Sequence, residues 1–309
     1  MSKSDDIAAL FNQYVMHTYA PTVTLTSGSG CKVRDPDGMM YLDFTAGIAV
    51  HNVGHCHPKV VKAVQDQVAT LGHCSNLFYN ASQALLAQKL SKLSLNGKCF
   101  FCNSGAEANE AMIKLARLWG NAKGKYEIIC MQNSFHGRTL ATVAATGQAK
   151  IQKGFDPLPI GFTFAEFNNL DSVKAAVNER TVAVMLEAVQ GEGGVMPTTE
   201  EFMVGVRKLC DEKGLLMLCD EVQCGMGRTG KWFAWQHFPV KPDAFTLAKS
   251  LADGIPMGAL VASPALSDLF QPGHHASTFG GNPVSSAAAL AVMEVIEEEA
   301  LVTQAENAG

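Results

Sequence analysis

Residues 243–249 read Asp243-Ala244-Phe245-Thr246-Leu247-Ala248-Lys249, and Ser250-Leu251-Ala252-Asp253-Gly254 follows them. Phe245, Thr246 and Leu247 suit a short strand packed on both faces, and the breaker-rich stretch after Lys249 marks where it ends. A lysine held at the end of a buried strand loses solvation. That lowers its pKa and frees the amine lone pair for attack on a carbonyl carbon. A plain surface lysine after a strand would give the same local pattern, so the rest of the chain has to decide between the two.

On either side of this stretch, strands and helices alternate. The residue pattern predicts strands over 99–102, 126–131, 182–186, 215–219, 244–247 and 259–262. It predicts helices over 106–119, 139–145, a short one capped by Asp171, 200–213 closed by Gly214, and a long alanine-rich one over 285–301. Such alternation implies an α/β fold with a mostly parallel sheet between helices, whose ligands sit at the carboxyl ends of strands. Nearer the N-terminus, an amphipathic helix is expected over 4–19 and short strands over 23–25, 31–34 and 39–43. The turn Asp35-Pro36-Asp37-Gly38 joins the last two. Pro58 opens a helix with Val60, Val61, Val64 and Val68 on one face, and a further helix covers 82–93.

Composition narrows the function classes. The chain has 309 residues, 47% of them hydrophobic and 17% charged, enough for one large core or a large and a small one. The net charge is −5 with no Lys/Arg run, so neither nucleic acid nor a membrane surface has electrostatic support. No apolar run is long enough to span a bilayer, and Met1-Ser2-Lys3-Ser4-Asp5-Asp6 resembles neither a secretory signal nor a transit peptide. The odd number of cysteines, 9, with Cys130, Cys210 and Cys219 in apolar runs, reads as reduced, buried thiols of a cytoplasmic protein. Cys99-Phe100-Phe101-Cys102 has CxxC spacing but lies on an alternating strand pattern with no second pair. His51, His55 and His57 lie in a turn that leads into a helix. No metal site is expected at either.

Several strand ends carry chemistry. Asn103-Ser104-Gly105-Ala106-Glu107-Ala108-Asn109-Glu110 opens a helix. Ser104 and Glu107 have capping-box spacing, Gly105 permits close approach, and the first-turn N–H groups favour an anion. A plain capped helix reads the same. The segment lacks the Gly-Lys-Ser/Thr ending of a nucleotide P-loop, so a phosphate here belongs to a smaller cofactor. Ser134-Phe135-His136-Gly137-Arg138 offers a ring and a guanidinium suited to a carboxylate, or a surface loop. Glu187 and Gln190-Gly191-Glu192-Gly193-Gly194 follow another strand, with Glu192 free to swing or to pair with a cation.

Asp220-Glu221-Val222-Gln223 follows the strand over 215–219. A carboxylate there can hold a proton on a ligand's ring nitrogen, cap a helix or ligate a metal. Gly225-Met226-Gly227-Arg228-Thr229-Gly230 is a literal GxGxxG. However, acids precede it, bulky Lys231-Trp232-Phe233-Ala234-Trp235 follows, and no suitable acid lies downstream, so the dinucleotide reading is poor.

These motifs, with Leu247-Ala248-Lys249 and Ser277-Thr278-Phe279-Gly280-Gly281-Asn282-Pro283, occur in one order along the chain. In that order they resemble the class III, pyridoxal-phosphate-dependent aminotransferases. Ser75-Asn76-Leu77-Phe78-Tyr79-Asn80 and Phe101-Cys102-Asn103-Ser104-Gly105 look most like the acetylornithine-specific branch. The match runs from about residue 10 to the end.

The resemblance implies a fold type I transferase. Residues 1–44 would be an N-terminal segment, 45–284 the pyridoxal-phosphate-binding large domain, and 285–309 the start of a C-terminal domain that is largely missing. It implies that Lys249 bonds to the cofactor's aldehyde carbon and then moves the substrate's proton. Asp220 would keep the ring nitrogen protonated, Gln223 would meet the phenolic oxygen, and Phe135 would stack on the ring. Ser104, Gly105 and Ala106 would cradle the phosphate, and Thr278 would reach the phosphate of the neighbouring subunit of a homodimer. Arg138, Glu187, Glu192 and Ser277 would serve the substrate. Glu192 would mask an arginine of the C-terminal domain in the first half-reaction, and the sequence ends before that arginine.

The implied reaction moves the terminal amine of N-acetylornithine to 2-oxoglutarate, giving glutamate and N-acetylglutamate semialdehyde, a step of arginine biosynthesis. Ornithine, succinylornithine and 4-aminobutyrate remain alternative donors, and a catalytically impaired cofactor-binding fragment is an alternative of another class. Ala188 stands where a proline is usual. Ser250, Ala252-Asp253 and His274-His275-Ala276 replace glycine-rich stretches, which puts loop shape rather than any catalytic group in question.

Overall fold

A computed structural model describes residues 2–309. The elements in chain order are α1 (Lys3–Tyr14), β1 (Ser27–Ser29), β2 (Lys32–Arg34), β3 (Met40–Leu42), the short irregular α2 (Ala46–Ala49), α3 (Pro58–Thr70) and α4 (Ala81–Leu93). They continue with β4 (Cys99–Cys102), α5 (Gly105–Gly120), β5 (Glu127–Met131), α6 (Leu140–Ala145), α7 (Ala149–Gln152), β6 (Phe162–Ala165), α8 (Leu170–Ala176) and β7 (Thr181–Leu186). The remainder are β8 (Val189–Gln190), β9 (Met196–Pro197), α9 (Glu200–Lys213), β10 (Leu216–Asp220), β11 (Ala244–Leu247), β12 (Gly258–Ala262), α10 (Pro283–Glu298) and α11 (Leu301–Ala308).

Seven strands form one sheet in the order β4-β12-β11-β10-β7-β5-β6. Pairing is parallel from β11 through β10, β7 and β5 to β6, and β12 alone runs against its neighbours β11 and β4. The expected α/β architecture with a mostly parallel sheet is therefore present. Its strands are apolar on both faces, and alternation sorts the side chains between two cores. Along β5, Ile129 and Met131 join the core beneath α3, α4, α9 and α10, while Ile128 and Cys130 join Ala111, Met112 and Leu115 of α5 on the other face. Cys102, Cys130, Cys210, Cys219 and Cys224 are buried and Cys31 and Cys56 exposed, and all nine cysteines are free thiols. Burial pushes Cys99, Cys102 and Cys210 up to about 12, which leaves them unreactive.

Local expectations failed in identifiable ways. The first helix stops at Tyr14 instead of residue 19. It buries no side chain, so no packing carries it past Val15, which is extended. The strand expected over 23–25 forms instead at β1, paired with β2 around Gly30. Asp171 does not cap α8; Asn169 does, its side chain accepting from the Ser172 N–H at 3.0 Å. The last helix breaks into α10 and α11 at Ala300, whose φ is 51°. Just before that break, Glu297 pairs with Lys89, Glu298 with Lys59 and Glu299 with His57, which ties the end of α10 to α3 and α4.

Candidate active site

The parallel strands β4, β5, β7, β10 and β11 end on one edge of the sheet, and the chemistry-bearing residues follow those ends. One cavity of about 380 Å³ opens there. It is lined by Ser104, Gly105 and Ala106 after β4, Phe135 and Arg138 after β5, and Glu187 and Glu192 after β7. Asp220 and Gln223 line it after β10, and Lys249 after β11. Residues more than a hundred positions apart thus meet because parallel strands deliver their carboxyl ends to the same place. Ser277 and Thr278 lie outside this cavity, in two adjoining clefts that also hold Phe100 and His275. There Ser277 accepts from the Asn103 side chain at 3.3 Å and from the Gly280 N–H at 3.0 Å.

The N-terminus of α5 forms one end of the cavity. Ser104 caps it, its hydroxyl accepting from the Glu107 N–H at 3.2 Å. The Glu107 carboxylate reaches one residue further back than a capping box predicts and accepts from the Asn103 N–H at 2.6 Å. The N–H groups of Gly105 and Ala106 have no acceptor among the described residues, so the first turn of a sixteen-residue helix presents free donors to the cavity. Gly105 also packs closely, since a Cβ there would lie 2.7 Å from Val222.

Asp220 forms the other end. It is 4% exposed and sits at the tip of β10. Its Oδ1 accepts from the Val222 N–H at 3.0 Å, and its Oδ2 accepts from Asn109 Nδ2 at 2.7 Å and His136 Nδ1 at 2.8 Å. Glu187 is nearly as buried. Desolvation and the neighbouring Asp220 charge push its carboxyl well above the usual range, against one hydrogen bond from the Phe135 N–H at 3.3 Å. Lys249 is half-buried, and desolvation lowers its amine against the pull of Asp220, Glu192 and Glu187. Its φ of 46° lies in the left-handed region that side chains avoid, so the backbone is strained where the amine enters the cavity. At the mouth, the Arg138 guanidinium lies 5.5 Å from the Phe135 ring centroid, and Gln223 Nε2 donates to Glu192 Oε1 at 3.4 Å.

The adjacent acid of the Asp220-Glu221 pair turns away from the cavity into the core. Glu221 accepts from the N–H groups of Ala234 and Trp235 at 2.7 and 2.8 Å, and burial pushes its carboxyl from 4.5 up to about 7. The folded chain therefore holds this proton to higher pH than the unfolded chain. The group's contribution to stability is full below 4.5 and falls as pH rises toward 7. Glu221→Gln removes that slope. Urea unfolding at pH 5 and pH 8 should show the variant gaining on the parent at the higher pH by on the order of 2 kcal/mol. A constant difference would contradict the assignment.

The remaining motifs find structural uses. The N–H groups of Gly225, Gly227 and Gly230 donate to Glu221, Trp232 and Gly227 carbonyls, so the three glycines have no N–H left for a pyrophosphate. His55 pairs with Asp43 at 2.7 Å, His51 with Asp253 at 3.5 Å and His57 with Glu299 at 3.0 Å. The pairing helps hold the Asp43 carboxyl down to about 2. Among the described residues no cluster of His, Cys, Asp and Glu is arranged for a metal, and no helix is long and apolar enough to cross a membrane. Asn109, Pro256 and Met257 line the cavity without having been singled out. For Asn109 a signal existed, a polar residue one turn after Gly105 on an otherwise apolar helix face.

A strand-end lysine, a buried carboxylate and a helix N-terminus with free N–H groups thus line one cavity. Residues 14–309 match the aminotransferase class-III family model, and the chain belongs to that family. It is 51% identical over 303 residues to the acetylornithine aminotransferase of Gloeobacter violaceus, covering 97% of this chain and 76% of that protein. It is 52% identical over 281 residues to the acetylornithine aminotransferase of Methanocaldococcus jannaschii, covering 89% and 70%. Among solved structures, the ornithine aminotransferase of Toxoplasma gondii superposes with a TM-score of 0.95 at 31% identity, over 99% of this chain and 75% of that one.

Proposed function

We propose that the cavity holds pyridoxal 5′-phosphate and that the chain transfers the terminal amine of N-acetylornithine to 2-oxoglutarate. The observation that carries this reading is that Asp220, the free N–H groups of Gly105 and Ala106, and Lys249 line one cavity. A dianionic phosphate fits the helix end and a protonated ring nitrogen fits the buried carboxylate. The high identity to acetylornithine aminotransferases supports the choice of donor.

Bound, the cofactor supplies an electron sink for the C–H bond broken beside the amine. The chain's own groups do the rest. Ser104, Gly105 and Ala106 bind the phosphate. Asp220 keeps a proton on the ring nitrogen, and Phe135 shields the ring from water. Lys249 carries the substrate's proton at Nζ, where desolvation lowers the amine and so favours the neutral form that can accept a proton. Gln223 would meet the ring's phenolic oxygen; its Nε2 donates to Glu192 Oε1, from which Glu192 is free to swing to a cationic partner. Glu187, whose carboxyl burial and the Asp220 charge push up, lines the wall of the substrate pocket.

Arg138 is exposed at the mouth and grips the donor's distant carboxylate. Steady-state rates with N-acetylornithine, ornithine, succinylornithine and 4-aminobutyrate test the donor. N-acetylornithine should give the highest kcat/KM, and a preference for any other donor would reassign the branch. Arg138→Ala should raise KM about tenfold to a hundredfold for every carboxylate donor and change kcat less. Cofactor binding with no turnover of any donor would favour an impaired fragment.

The assembly we propose is a homodimer. Thr278 lines two clefts outside its own cavity, which exposed Leu77 and Phe279 also line. In the dimer Thr278 serves the partner's phosphate. Sedimentation at assay concentration should give twice the chain mass, and a monomer would remove that role for Thr278. The nine free thiols suit a reducing compartment such as the cytoplasm.

A further inference from the structure

Asn109 sits on α5, is 1% exposed, and makes three side-chain hydrogen bonds to three different elements. Its Nδ2 donates to Asp220 Oδ2 at 2.7 Å and to the His136 carbonyl at 2.8 Å. Its Oδ1 accepts from the Thr246 hydroxyl at 2.7 Å. We propose that Asn109, locked by Thr246, is the positioning residue that fixes Asp220 as a correctly oriented and spaced acceptor for the cofactor's ring nitrogen. This rests on the cofactor reading above and extends it to two residues with no role in that reading.

The geometry leaves the amide one orientation. Turned over, its oxygen would face a carboxylate and a carbonyl, two acceptors, in a dry site. Thr246 then has to donate, and its place on β11, paired in register with Asp220 of β10, keeps the hydroxyl there. His136 gives the second bond to Oδ2 through Nδ1, while its Nε2 is buried with no partner. Asp220 is thus held by three N–H donors, from Asn109, His136 and Val222, at the wall of the cavity that a ring nitrogen would enter.

Asn109 also sets a length. It lies four residues, about 6 Å of helix rise, below Gly105 on the same helix face. The helix that presents donors to the phosphate therefore grips the carboxylate meant for the opposite end of the cofactor. One rigid element relates the two ends, and Thr246 ties it to the strand that carries Lys249.

Binding of two ligands to the cofactor-free protein, followed by equilibrium dialysis, tests this. One ligand is pyridoxal phosphate. The other is its deaza analogue, in which C–H replaces the ring nitrogen. The parent should prefer pyridoxal phosphate by at least about tenfold, the scale of one charge-assisted hydrogen bond. Asn109→Leu should lower that preference about tenfold while changing affinity for the deaza analogue less than about threefold. Thr246→Val should lower it by a smaller factor, and Thr246→Ser should restore it. Because Val matches Thr in shape, this second series reads the hydroxyl even if Asn109→Leu fails to fold. Parallel weakening of both ligands, or an unchanged preference in the variants, would overturn the proposal. A parent with no preference would overturn the ring-nitrogen reading and the proposal together, which distinguishes the two failures.

Discussion

Lys249→Ala should lower turnover of N-acetylornithine with 2-oxoglutarate by at least about 10⁴-fold while leaving the fold intact. General base catalysis alone contributes about 10²–10⁴-fold, and the same amine also makes the covalent link to the cofactor. Little structural loss accompanies the change. The Lys249 amine has no hydrogen-bond partner among the described residues, and the left-handed backbone at this position is no worse for alanine than for lysine. Added methylamine, small enough to enter the emptied space, should recover part of the rate by acting as a free base. Initial rates and the circular dichroism spectrum check both parts. Turnover above about one hundredth of the parent value would show that another group moves the proton.

The second large effect is expected at Asp220. In Asp220→Asn the retained oxygen will face Asn109 and His136, both donors, and the new amide will point to the cavity. A ring nitrogen then meets a donor where it had met a carboxylate, and it loses its proton. The amide also opposes the Val222 N–H, which now lacks its acceptor. Removing one preorganised charge of this kind lowers rates by about 10²–10³-fold, so kcat should fall by that factor. Phosphate-end contacts are untouched, so cofactor affinity should fall less than kcat. Steady-state kinetics beside a cofactor titration would separate the two, and a kcat within tenfold of the parent would remove Asp220 from the proton's path.

Much of this site was legible in the sequence because parallel α/β folds place chemistry at strand ends. Lys249, Asp220, Glu187 and the Ser104–Ala106 turn each follow an apolar run whose two-faced burial can be read from residue type. β6 was not legible. It is a short edge strand with Phe164 exposed, and an edge strand shows only half of the burial pattern. The break at Ala300 left no signal either, since alanine favours helix. Only the contacts of Glu297, Glu298 and Glu299 with residues more than 200 positions away mark where α10 ends. Asn109 was hidden for the same reason. Its partners Asp220 and Thr246 are 111 and 137 positions distant, so its place on an apolar helix face marks it as buried without saying what it bonds.

Glu107 is an intermediate case. Its spacing from Ser104 announced a capped helix, and the cap exists. The carboxylate nevertheless satisfies the Asn103 N–H in place of the Ser104 N–H, and the Gly105 and Ala106 N–H groups stay open to a ligand. The sequence pattern carried the helix start but not which donors would be left over.

The central claim is that Lys249 is the one lysine that bonds to the cofactor. Borohydride reduction of the protein mixed with pyridoxal phosphate fixes the cofactor to whichever amine holds it, and peptide mass spectrometry locates it. The label should fall on Lys249 in close to one copy per chain. A label on another lysine, or spread over several with Lys249 unmodified, would contradict the account.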